Sequence, residues 1–141
     1  MKYKFPKVKL NEDGNFGPTE NDNYYNPVFY HNKTAKKNTN KTKWVLKKNE
    51  QYEVFRLSDE GKWTCKENQG LFGILEKGNI ILGKGEERLS FFPKPTNKND
   101  AWHGFPVHSG EYEPSNKTVN KWFENDVIDN RMRIKILKGA I

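Results

Sequence analysis

At 141 residues the chain fits one domain that can bury a core without covalent staples. Its one cysteine, Cys65, excludes an intrachain disulfide and a Cys-rich zinc cluster, and no window approaches the ~20 apolar residues of a membrane span. The apolar share is only 33%, so the four Trp, six Tyr and nine Phe must supply much of the core, and the net charge of +7 points to an anionic partner.

In chain order, residues 1–30 read as an irregular arm. Tyr3, Phe5, Val8 and Leu10 suit a short strand that Pro6 keeps at an edge. NEDGNFGPTENDN is turn chemistry, and YYNPVFY (24–30) is dense in aromatics that must dock on a body or a partner. No apolar leader of about 7–15 residues is visible in MKYKFPKVKLNEDG, so a reducing, cytoplasmic setting is the expectation. Residues 31–43 contain one alanine and no larger apolar side chain, which predicts a mobile loop.

Residues 43–113 read as a β-rich body. KWVLKK (43–48) and YEVFRL (52–57) alternate as a hairpin would. LFGILE (71–76) and NIILGKG (79–85) suggest a second hairpin, and RLSFF (88–92) a further strand that Pro93 and Pro95 stop. In KWTC, Trp63 and Cys65 alternate and should share one side of a strand. LGKGEER (82–88) lacks Walker spacing and reads as a Gly-rich turn.

Residues 114–141 read as helical. Ser115 is a suitable N-cap, and Val119, Trp122, Phe123 and Val127 form one apolar stripe. For DNRMRIKILKGAI, an Asp129 cap, a run of basic residues and Gly139 as the stop favour a second short helix over a strand. The elements sum to a single α+β domain: a mostly antiparallel meander of about five strands, a C-terminal helical segment packed on it and an irregular N-terminal arm.

The charge is uneven. Residues 31–48 hold seven lysines and no acid, and the remaining bases balance the 18 Asp and Glu. Lys33, Lys36, Lys37, Lys41, Lys43, Lys47 and Lys48, with Trp44 to stack on a base, therefore form the candidate nucleic-acid surface. Five such lysines on phosphates would give a log–log salt slope of about −4 to −4.5. Lysine is a point charge rather than a bidentate fork, which suits sequence-independent binding.

AWHGFPVHSG (101–110) reads first as a structural corner, with Trp102, Phe105 and Val107 filling a gap between sheet and helix. It also carries His103 and His108, which could act as the acid and base of a metal-independent ribonuclease. The general layout is similar to that of compact microbial ribonuclease toxins, without a shared motif. Chelation by the two histidines with Asp100 or Glu111 is a poorer reading, because the spacing is not helical. A third alternative is a protein-binding module using Tyr24, Tyr25, Phe29 and Tyr30. No cofactor signature appears, nor any zinc, RNP or helix-turn-helix pattern. The leading expectation is thus a small basic protein that binds a polyanion, nucleic acid foremost.

Overall fold

The computed structural model describes residues 3–27 and 42–141. Four short strands form one antiparallel meander in the order β1-β2-β3-β4: Thr64–Cys65, Gly70–Gly73, Leu89–Pro93 and Phe105–Val107. Three helices complete it: α1 (Lys48–Glu60), α2 (Asn116–Glu124) and α3 (Asn130–Leu137). The class is α+β, with four strands among the described residues rather than about five.

Alternation along the two central strands builds three layers. In β2 and β3, Leu71, Gly73, Ser90 and Phe92 lie on the α1 side, while Phe72, Leu89 and Phe91 lie on the other. The first side packs Val54, Phe55 and Tyr52 of α1 together with Phe16, Tyr25 and Trp44. The second packs Val119 and Trp122 of α2, Ile136 of α3, and Ile128 between them. Close approach of α1 requires Gly73: a Cβ there would lie 2.6 Å from Val54 Cγ1 and 2.7 Å from Ser58 Oγ.

The expected hairpin over 43–57 is instead the last part of a loop followed by α1. Glu50 Oε1 accepts the Lys47 N–H (2.8 Å) at the helix start, and Arg56 bridges Glu53 and Glu60 one turn to either side. Residues 51–55 are all buried, because the N-terminal segment covers α1 on the side away from the sheet. A helix covered on both sides has no polar stripe, and its period resembles alternation.

The second hairpin is also absent. β2 leads through Ile74 and Leu75 into a 3₁₀ turn at Glu76–Gly78, where Lys77 and Gly78 take positive φ of 58° and 86°. The chain over 79–85 forms no strand. Leu82 and Gly83 instead hold the segment before α1, through Val45 N–H to Leu82 O and a single Trp44–Gly83 bridge.

The C-terminal helices match their caps. Ser115 Oγ accepts Thr118 N–H, Asp129 Oδ1 accepts Met132 N–H (2.8 Å), and Gly139 adopts φ +68° just past α3. Trp63 and Cys65 are both buried in the α2/α3 layer. The edge strand expected over residues 3–10 does not form; Tyr3 and Phe5 pack against the α1 core, and Tyr3 Oη donates to Glu53. Burial and that carboxylate push the Tyr3 phenol up to about 12.

Candidate anion-binding groove

β1 is an edge strand, and its two neighbours in sequence alternate with it. Trp63 and Cys65 point into the core, so Lys62, Thr64 and Lys66 are left exposed on the opposite side. Two cavities of 580 and 310 Å³ adjoin this edge strand, the larger toward the α1 layer and the smaller toward the α2 layer, and share those three residues. The larger runs toward β2 and Trp102, and Lys94 stands on its wall just beyond β3. The smaller runs toward α2, where Lys117 and Lys121, four apart on the helix, face Lys62 and Lys66.

Five lysines thus line these two adjoining cavities, referred to together as the groove, against two carboxylates, Asp59 and Glu67. Among the described residues none of the five forms a salt bridge. Lys121 Nζ is fixed over the strand by donating to Lys62 O (3.0 Å). Asp59 is engaged within the protein, accepting from Thr19 Oγ1 and from Asn23 Nδ2 (3.0 Å). The ammonium groups are therefore left to solvent or to an anionic ligand.

The two cavities differ in character. The larger has an apolar floor of Leu71 and the partly exposed Trp102. Trp102 is held from behind: its N–H donates to Tyr24 O, its carbonyl accepts from Asn26 N–H (2.7 Å each), and its ring packs 5.7 Å from that of Phe55. Asn21, Asn23 and Gln69 bring amides to the rim. The smaller cavity is lined by hydroxyls and lysines.

The residues singled out from the sequence fall elsewhere. Lys33, Lys36, Lys37, Lys41, Phe29 and Tyr30 lie outside the described residues, as does nearly all of the expected loop over 31–43. Lys43 is half-buried, with its carbonyl accepting Lys84 N–H. Lys47 and Lys48 are exposed at the start of α1, whereas Lys62 follows its end, so the helix separates them by about 18 Å. Trp44 is 0% exposed and donates Nε1–H to Gly104 O (3.1 Å), so it belongs to the core and has no free face for a base. Tyr25 is likewise 0% exposed, its hydroxyl donating to Gln51 Oε1 (2.9 Å); Tyr24 remains on the surface. The lysine tract flagged Trp44 only because tract and tryptophan are adjacent in sequence.

His103 and His108 are not brought together. β4 pairs with β3 so that Phe105 faces Phe91 and Val107 faces Leu89. The histidines therefore flank opposite ends of one ladder, separated by up to about 16 Å of extended chain. Burial lowers the His103 pKa and favours its neutral form. His108 lies 3.8 Å from the buried Glu87 carboxylate. Glu87 also accepts Gly85 N–H (2.9 Å), so the Gly-rich turn is filled by the protein's own carboxylate rather than shaped to receive a phosphate. Among the described residues no three His, Cys, Asp or Glu side chains cluster as metal ligands would, and no helix is long and apolar enough to cross a membrane.

Sequence reading missed four of the groove lysines because each has an acid nearby in the chain: Glu60 before Lys62, Glu67 after Lys66, Glu113 before Lys117 and Glu124 after Lys121; Lys94 stands alone between two prolines. A signal was present in KWTCK, where burial of Trp63 and Cys65 forces the two flanking lysines outward together. No family model matches this chain, and comparison with curated proteins and with solved structures finds no match either.

Proposed function

We propose that this protein binds a polyanion, nucleic acid foremost, along the groove at the β1 edge. The supporting observation is the gathering of Lys62, Lys66, Lys94, Lys117 and Lys121 around two cavities that share the β1 edge, with no salt bridge to any of them among the described residues. Lysines left without a carboxylate partner attract phosphates and release condensed counterions, a binding mode that does not depend on sequence. The acid-free tract over residues 31–48 adds a second cationic zone on the same molecule. Its lysines at the start of α1, Lys47 and Lys48, are exposed near the opposite end of that helix from the groove.

The test is gel-shift titration at low salt of the wild type, of a groove variant (Lys62→Gln, Lys66→Gln, Lys117→Gln, Lys121→Gln) and of a tract variant (Lys33→Gln, Lys36→Gln, Lys37→Gln, Lys41→Gln). The four groove lysines all reach solvent, so the groove variant should fold. The groove variant should lose most of its affinity for single-stranded oligonucleotide, and the tract variant a smaller part. Equal affinity of wild type and groove variant would remove the groove from the account. RNA cleavage in EDTA that is lost in His103→Ala or His108→Ala would favour the ribonuclease alternative, for which the two histidines share no common centre. A complex with a protein that survives high salt would favour the interaction-module alternative, now without Tyr25.

A further inference from the structure

We infer that the groove takes single-stranded nucleic acid, with one unstacked base against Trp102 and the adjoining phosphates over Lys62, Lys66, Lys117 and Lys121. This rests on the reading of the groove as a polyanion site and assigns separate tasks to its two halves.

The larger cavity, 580 Å³, is of the size of small-molecule sites and has the composition such sites need. Its floor offers the Trp102 indole and the Leu71 side chain, which reward a flat apolar ligand and give little to a bare phosphate. Its rim offers hydrogen-bonding groups that the protein does not use up. Asn21 and Asn23 donate their amide hydrogens to Asp59, which turns both amides to fixed orientations, and no donor among the described residues reaches their side-chain oxygens. The Gln69 side chain makes no hydrogen bond among the described residues; only its backbone is engaged, its N–H donating to Lys66 O and its carbonyl accepting Lys94 N–H. An aromatic wall flanked by preset amide acceptors can recognise the edge of a nucleobase.

The smaller cavity offers no aromatic surface. It has two pairs of lysines, Lys62 with Lys66 and Lys117 with Lys121, while the Thr118 hydroxyl is held within the protein, donating to Thr64 O (2.7 Å). That composition suits phosphate and sugar. Both halves are lined by Lys62, Thr64 and Lys66, so a base in one and its backbone in the other would lie on either side of the β1 edge. In a duplex both faces of every base are stacked, and none can lie on an indole without leaving the helix.

The test uses the full chain and three probes: an oligothymidylate of about ten nucleotides, an abasic oligomer of equal length, and inorganic polyphosphate. Trp44, Trp63 and Trp122 are buried, so tryptophan quenching by a bound base reports on Trp102. Oligothymidylate should quench the emission and bind about 5- to 150-fold more tightly than the abasic oligomer, the effect of one stacked base. Polyphosphate should bind without quenching. Trp102→Phe should retain a weaker version of the preference. Because the abasic comparison uses wild-type protein, it stands even if that variant folds poorly. Equal affinity for the two oligomers without quenching would overturn the base pocket and leave the cationic groove in place. Tighter binding of a duplex than of the single strand would overturn it in the same way. Failure of all three probes to bind would remove the polyanion reading, and this inference with it.

Discussion

Replacing Asp59 with alanine tests how the groove wall is held. Asp59 is 6% exposed and sits in the last turn of α1. One carboxylate oxygen accepts from Thr19 Oγ1 and the other from Asn23 Nδ2, which fastens the 19–23 turn onto the helix. A hydrogen bond to a charged acceptor is worth about 1.5–3 kcal/mol, and Thr19 is 5% exposed, so water does not replace the lost partner. Asn23 is half-buried and regains water, which adds at most about 1 kcal/mol. A carboxylate near a helix C-terminus is disfavoured by the helix dipole, and its removal returns up to about 1 kcal/mol. The net loss is about 2–3 kcal/mol, out of about 5–15 for a domain of ordinary stability. At this chain length that lowers Tm by roughly 6–12 °C. Urea unfolding of wild type, Asp59→Ala, Thr19→Val and the double variant would measure the coupling. The double variant should be less destabilised than the sum of the singles. A midpoint unchanged in Asp59→Ala, or strict additivity, would refute the view that this carboxylate holds the wall.

Tyr25→Ala should cost about 3–5 kcal/mol, as for other large aromatics removed from a core, whereas Tyr24→Ala should change stability by less than about 0.5 kcal/mol. Urea unfolding separates them, and equal effects would contradict the assignment of Tyr25 to the core. Because burial lowers the His103 pKa, the unfolded chain binds the proton more readily. The stability contributed by neutral His103 is present above the unfolded value of about 6.5 and falls as pH drops below it. His103→Gln should therefore lose less stability than wild type between neutral and mildly acidic pH; identical pH profiles would contradict that.

The parts of the fold legible in sequence were those whose local chemistry agrees with the tertiary structure. Ser115 and Asp129 cap helices that carry an apolar stripe or a glycine stop, and RLSFF runs as a strand into Pro93. α1 was illegible because burial on two sides erased its polar face, and Tyr52, Val54 and Phe55 then alternate well enough to resemble a strand. The second hairpin failed for a different reason: the apolar run over 80–82 is used to hold the segment around Trp44 rather than to pair with β2. AWHGFPVHSG, expected as an irregular corner between sheet and helix, instead supplies β4 through Phe105–Val107 and places Trp102 at the wall of the larger cavity. The groove escaped notice because charge was read along the chain, whereas Lys62, Lys66, Lys94, Lys117 and Lys121 meet only in three dimensions.

The salt dependence of oligothymidylate binding addresses the groove most directly. Each phosphate neutralised on a single strand contributes about −0.7 to the log–log slope, so removal of four engaged lysines should make the slope shallower by about 2.8. The account predicts that difference between wild type and the variant with Lys62, Lys66, Lys117 and Lys121 changed to glutamine. The same slope in both proteins would contradict it.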